Sequence, residues 1–267
     1  MIGLLRQLVS KEISVMQAIH AVTHFFSPSR AVSGDDFNWS RYHLHYKEEL
    51  ASISKTAQLD LGQADFKLVN GKLVLSEPIN FLASHHTLYE AISQFAPNSI
   101  LEVGCGGGDH LSNLSRIFPR ADFRGIDLSK EQIDFAVRRH PELKGGLSLK
   151  DISRPINTVG LKSDIVYSHA VLMHISERNG RFKTALHQML ELANVGVVLV
   201  ENWTQHDFLS AAKELTEELE SWKEARIGYH ESSKFPGVLA MVISKDTAFD
   251  LVESYELFLR GAKLKIH

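Results

Sequence analysis

Ile100-Leu101-Glu102-Val103-Gly104-Cys105-Gly106-Gly107-Gly108-Asp109 decides how this chain reads. A short apolar run, Ser99–Val103, gives way to glycines and then to a helix expected near 109–118. Glycines directly after a strand let the backbone approach a ligand closely, because no Cβ stands in the way.

Outward from this stretch the pattern strand, turn, helix repeats. Strands are expected at 122–126, 146–150, 164–167 and 195–200, with helices at 87–95, 130–139 (Ser129 as its cap), 178–193 and 206–224. Two further β-prone segments, 225–230 and 238–244, are separated by a short turn-rich stretch and read as an antiparallel pair at one sheet edge. Such alternation predicts an α/β, Rossmann-like, seven-stranded mostly parallel sheet with helices on both faces. Upstream, Phe66-Lys67-Leu68-Val69-Asn70-Gly71-Lys72-Leu73-Val74-Leu75 carries the Asn-Gly hairpin signal. Before it, apolar residues at helical spacing (Leu4, Leu8, Val15, Ile19, Val22) are broken by Ser-Pro-Ser at 27–29 and Gly-Asp-Asp at 34–36. Residues 1–84 are therefore read as an N-terminal helical segment with a β-hairpin, and 85–267 as the ligand-binding domain.

The 267 residues are 44% apolar and 23% charged, too apolar and too evenly charged for disorder. Twenty-nine Lys+Arg against 32 Asp+Glu leave a net charge of −3, which argues against a chain-wide nucleic-acid footprint. The single Cys105 excludes an intrachain disulfide and a thiolate metal cage, as expected of a reducing compartment. Arg6, Lys11 and Glu12 interrupt any signal-peptide core, and no run reaches the ~18 apolar residues of a membrane span. The expectation is a cytoplasmic chain with no membrane and no nucleic-acid partner; a homodimer is compatible with it.

Three ligands compete for the glycine turn. The dinucleotide fingerprint fails at Asp109, where Gly or Ala is needed, and a pyrophosphate would meet the carboxylates of Glu102 and Asp109. The phosphate-loop pattern fails because no Gly-Lys-Ser/Thr follows. A nucleoside without phosphate and with its own positive charge suits these carboxylates, and S-adenosylmethionine is such a ligand. Asp127, 25 positions after Glu102, can accept both ribose hydroxyls, although NAD enzymes place an acid there too and a helix N-terminus also favours one.

Glu102-Val103-Gly104-Cys105-Gly106-Gly107-Gly108 resembles the first motif, E/D-x-G-x-G-x-G, of the class I S-adenosylmethionine-dependent methyltransferases. The resemblance continues in Phe123-Arg124-Gly125-Ile126-Asp127-Leu128-Ser129, in Leu149-Lys150-Asp151-Ile152, and in the strand that runs through Tyr167-Ser168-His169 to His174. It covers about residues 85–245. It implies that Glu102, Gly104, Cys105, Gly106, Asp127, Leu128, Asp151, Ile152 and His169 hold the donor. Asp151 would bond the adenine amino group, with Ile152 over the ring. Asp151 as a cap for the following segment is the plainer alternative.

His169, at the C-terminal end of the fourth strand, is the candidate base, with a near-neutral pKa in view; the alternative is that it lends only its backbone carbonyl. His174 is the second catalytic candidate, with a wall role set against it. Cys105 reads as a small filler, and Lys150, Arg138 and Arg139 as solvent-facing. No metal is expected. The Glu201-Asn202 pair lacks an acid after strand 4, and His43, His45 and the His85-His86 doublet have no further ligand at sequence spacing. Trp39, Arg41 and Tyr42 are candidates to close over the donor. The turn Ala193-Asn194-Val195-Gly196 departs from the Pro-Gly-Gly common in the family, and the first 80 residues match nothing in it.

The resulting expectation is methyl transfer to an oxygen or nitrogen of a small-molecule acceptor, a sugar or secondary metabolite. A protein acceptor, a non-catalytic donor-binding subunit and an NAD oxidoreductase are the competing readings. The absence of an Asn/Asp-Pro-Pro-Tyr tetrapeptide and of Pro-Cys weighs against methylation of nucleic-acid bases.

Overall fold

The computed structural model describes residues 39–70, 72–76, 80–203, 205–235, 237–246 and 251. The helical segments expected before residue 39 lie outside them, as do the side chains of Arg41, His43 and His45. Helix α1 (Trp39–Ile53) comes first, followed by the hairpin β1 (Phe66–Val69) and β2 (Lys72–Leu75). Asn70 adopts φ 52°, as the sequence demanded of that turn. Leu73 and Leu75, alternate residues of β2, are buried, and Ser93 Oγ accepts a hydrogen bond from the Leu73 N–H. The hairpin is thereby fastened to α2 (Ala83–Ser93).

Among the described residues, seven strands form one sheet. They are β3 (Ser99–Val103), β4 (Asp122–Asp127), β5 (Leu147–Leu149), β6 (Ser163–His169), β7 (Ala193–Val200), β8 (Arg226–Glu231) and β9 (Leu239–Ser244). Their spatial order is β5-β4-β3-β6-β7-β9-β8, and β9 runs antiparallel to both neighbours. The order reverses between β3 and β6, so the loops after those two strands diverge and open a crevice at the carboxyl edge. Helices α3 (Asp109–Ile117), α4 (Lys130–Arg139), α5 (Arg181–Leu192) and α6 (Phe208–Glu218) complete the layers.

The period of two along each strand sorts the core into two halves. Leu101, Val103, Val166, Val197 and Leu199 pack with α5 and α6 on one face. Ile100, Ile165, Tyr167, Val198 and Val242 pack with α2 and α3 on the other. Glu102 shares the parity of Ile100, and β3 pairs it in register with Tyr167 of β6. A carboxylate is thus carried into an otherwise apolar layer by strand alternation alone.

The expected elements stand with modest changes at their ends. The long helix expected at 206–224 is α6 followed by a separate short turn, Glu220–Trp222, where the fully buried Trp222 donates its indole N–H to the Leu190 carbonyl. Asp207 caps α6 by accepting from the Ser210 N–H at 3.0 Å. Asp207→Ala should cost about 1 kcal/mol in chemical denaturation; an unchanged midpoint would show that the exposed cap contributes nothing.

Candidate active site

A cavity of about 400 Å³ lies at the carboxyl edge of the sheet. All ten residues singled out from the sequence line it: Glu102, Gly104, Cys105, Gly106, Asp127, Leu128, Asp151, Ile152, His169 and His174. Helix α1 contributes Trp39, Tyr42 and Tyr46 to the same wall.

The glycine turn is held by the next strand. Gly104 and Cys105 donate their N–H groups to the Ile126 carbonyl, and Gly106 donates to Asp127 Oδ2 at 2.9 Å. Asp127 Oδ1 accepts the Ser129 N–H at 2.8 Å. Each oxygen of Asp127 keeps one further acceptor direction for a ligand. Burial raises its pKa, and the N–H bonds oppose that rise. Gly106 sits at φ +47°, and a Cβ built there meets no atom within 4 Å. The position is left open for an approaching ligand.

Two acids near the turn are fully engaged. Asp109 receives both terminal nitrogens of Arg139 at 2.5 Å and the Tyr46 hydroxyl at 2.8 Å. Despite the opposing desolvation, these donors and His140 bring its pKa down to about 2. Arg139 is therefore not solvent-facing, as the sequence suggested; it neutralises Asp109 and helps Tyr46 pin α1 over the cavity. Lys150 likewise lines the cavity. Glu201, ending β7, accepts the N–H groups of Val171, Leu172 and Met173 and the Ser168 hydroxyl. It fixes the loop after β6, where Ala170 takes φ 55°. Glu201 is a backbone clamp, a role its Glu-Asn sequence context does not reveal.

Glu102 is different. It is 2% exposed, and its Oε2 has no hydrogen-bond partner among the described residues, nor does the hydroxyl of the adjacent Tyr167. Burial pushes its pKa well above the ordinary carboxylate range; the nearby Tyr167 hydroxyl opposes that rise, and the charges of Asp109 and Asp127 add to it. The site thus contains a buried acid for which no cation stands within ion-pair distance among the described residues.

Farther along the cavity wall, Leu128 is 51% exposed and Ile152 is buried. Asp151 Oδ1 accepts the Ser153 N–H at 3.0 Å, and its Oδ2 lies 3.1 Å from Arg154 Nε. A turn, not a helix, follows Asp151. Cys105 is buried with its pKa raised by desolvation, as suits an inert filler. His174 packs edge-on against Trp39, centroids 5.1 Å apart.

His169 meets two residues that the sequence scatters. Its ring lies 5.3 Å from that of His85 and 4.5 Å from that of His110, while His85 and His110 are 4.4 Å apart. The sequence reading gives His169 a near-neutral pKa. The structure holds it at about 3, by burial and then by His85, so the free imidazole is a weak base. His110 was not singled out, because nothing local marks it.

Residues 100–196 match the family described as a methyltransferase domain. The ordered motifs read from the sequence fall partly within that matched stretch and line one crevice of the expected sheet. A 41-residue stretch is 49% identical to the fatty-acid O-methyltransferase of Mycolicibacterium smegmatis, covering 15% of each chain. A 102-residue stretch is 31% identical to an uncharacterized protein of Rickettsia prowazekii, covering 38% of this chain and 15% of that one. The chain thus spans 15% of the length of either curated relative. Among solved structures, DesVI of Streptomyces venezuelae shares 14% identity with a TM-score of 0.47, over 61% of this chain and 93% of its own. No helix among the described residues is long and apolar enough to cross a membrane.

Asp109 also gives an acid-stability prediction. Its folded pKa of about 2 lies below the ~3.9 of an unfolded Asp, so its contribution is complete above pH ~4 and is lost as pH falls toward 2. Asp109→Asn should flatten that part of the stability profile measured by denaturation between pH 4 and 2. An unaltered slope would mean that the Arg139 pair contributes nothing there.

Proposed function

We propose that this chain transfers a methyl group from S-adenosylmethionine to an oxygen or nitrogen of a small-molecule acceptor, a sugar or another secondary metabolite. The observation that carries the reading is the buried, partnerless oxygen of Glu102 beside an open glycine turn. A cation there would restore the carboxylate that burial disfavours, and the donor carries an ammonium and a sulfonium. A pyrophosphate would bring negative charge to the same place.

In this reading Gly104 and Gly106 give backbone access and Glu102 orients the ammonium. Asp127 accepts the ribose hydroxyls, and Asp151, Ile152 and Leu128 hold the adenine. When bound, the donor supplies an electrophilic methyl group. The remaining work of the chain is alignment and exclusion of water, because methyl transfer is an in-line displacement. Residues 1–84 would form the lid and acceptor wall over the domain of 85–267. The place of Trp39, Tyr42 and Tyr46 in the cavity wall supports this. His169 and His174 face the acceptor. The acceptor's proton asks for a stronger device than one buried, neutral imidazole.

Calorimetry with S-adenosylhomocysteine tests the donor site. Asp127→Ala should weaken binding by the ~1.5–3 kcal/mol of charge-assisted hydrogen bonds, or roughly ten- to a hundredfold. Unchanged affinity would remove the ribose role. A screen of sugars and metabolites with labelled donor tests the transfer. With an acceptor in hand, His169→Ala should lower turnover about 10²-fold while leaving donor affinity near wild type.

A further inference from the structure

We infer that His85, His110 and His169 together form a binding site for one divalent transition-metal ion of the kind that prefers imidazole ligands, zinc being the simplest case. The three side chains come from separate elements: α2, α3 and the end of β6. One nitrogen from each lies within 4.8 Å of the others, and all three residues line the cavity. A tetrahedral ion with bonds of ~2.1 Å sets its nitrogens ~3.4 Å apart, so the rings would close by at most ~1.4 Å.

Edge-on packing of three imidazoles is the plainer account of the cluster, and it leaves one observation unexplained. The Nδ1 of His85 is buried with no partner among the described residues, and buried ring nitrogens ordinarily find one. His110 also carries the support typical of a ligand. Its Nδ1 is 2.8 Å from the Tyr89 hydroxyl, which in turn accepts from Asn113 Nδ2. The contact fixes the His110 ring, and an ion would select the tautomer with its proton on Nδ1 toward Tyr89 and the Nε2 lone pair free. The cluster contains only imidazoles, which disfavours magnesium and calcium and suits zinc, cobalt or nickel.

Three protein ligands leave a fourth position open, the arrangement of ions that act on a bound molecule. The consequence for catalysis rests on the proposed methyl transfer: an ion there would lower the pKa of an acceptor hydroxyl, the task for which one neutral imidazole is weak.

The test uses the full chain, stripped of metal and titrated with Co²⁺ and then Zn²⁺. One equivalent of cobalt should bind with the visible absorption of a tetrahedral nitrogen site, and zinc should displace it. His85→Ala and His110→Ala should each weaken binding at least ~10-fold, and Tyr89→Phe by a similar factor through His110. The surface variant His187→Ala should bind as wild type. S-adenosylhomocysteine affinity is measured on every variant: retained, it shows a folded donor site. Absence of stoichiometric cobalt binding to the wild-type chain overturns the inference, as does equal binding by wild type and all variants. Metal binding without any S-adenosylhomocysteine binding would leave this site standing and sink the proposed methyl transfer; the reverse result would do the opposite.

Discussion

Acids crowd the carboxyl edge of one mostly parallel sheet, and the site follows from how four of them, Asp109, Glu201, Asp127 and Glu102, are neutralised. Asp109 has the Arg139 guanidinium, Glu201 has three loop N–H groups and a hydroxyl, and Asp127 has two backbone N–H groups. Glu102 alone among them keeps a buried oxygen without a partner among the described residues. Burying an acid is costly unless it is paired, so an uncompensated one is tolerated where a ligand completes it. In the proposed reading this constraint favours a cationic nucleoside over a diphosphate, which the carboxylates around the glycine turn would repel despite its likeness to dinucleotide loops.

The same pairing organises the surroundings. By holding Asp109, Arg139 frees it to receive Tyr46, which draws α1 onto α4 and over the cavity. Glu201 does the corresponding work on the opposite side, setting the chain after β6 so that His169 and His174 face inward. Charge placement and acceptor-side geometry are thereby coupled through backbone hydrogen bonds, without any contact between the two clamps being needed.

The sheet and the residues that line its crevice are legible because they depend on local pattern. Glycines after β3, an acid closing β4 and alternation along the strands are all written within a few positions of one another. Residues whose roles depend on tertiary approach are not. Arg139 sits in a basic pair on a polar helix and looks solvated until Asp109 is brought to it. Glu201 resembles a metal ligand in sequence and is a backbone clamp in space. His110 has no local mark at all, and His85 looked like a chance doublet with His86. Their meeting with His169 is made by α2, α3 and β6 converging on one crevice. The weak basicity of His169 is invisible in sequence for the same reason, since burial is a property of the packed state.

Parallel titration of the purified chain with S-adenosylhomocysteine and with NAD tests whether Glu102 awaits a cation. The account predicts heat with S-adenosylhomocysteine alone. Because Glu102 is held toward its neutral form until the cation arrives, that heat should vary with buffer ionisation enthalpy as a proton is released. Binding of NAD in preference to the nucleoside would contradict it.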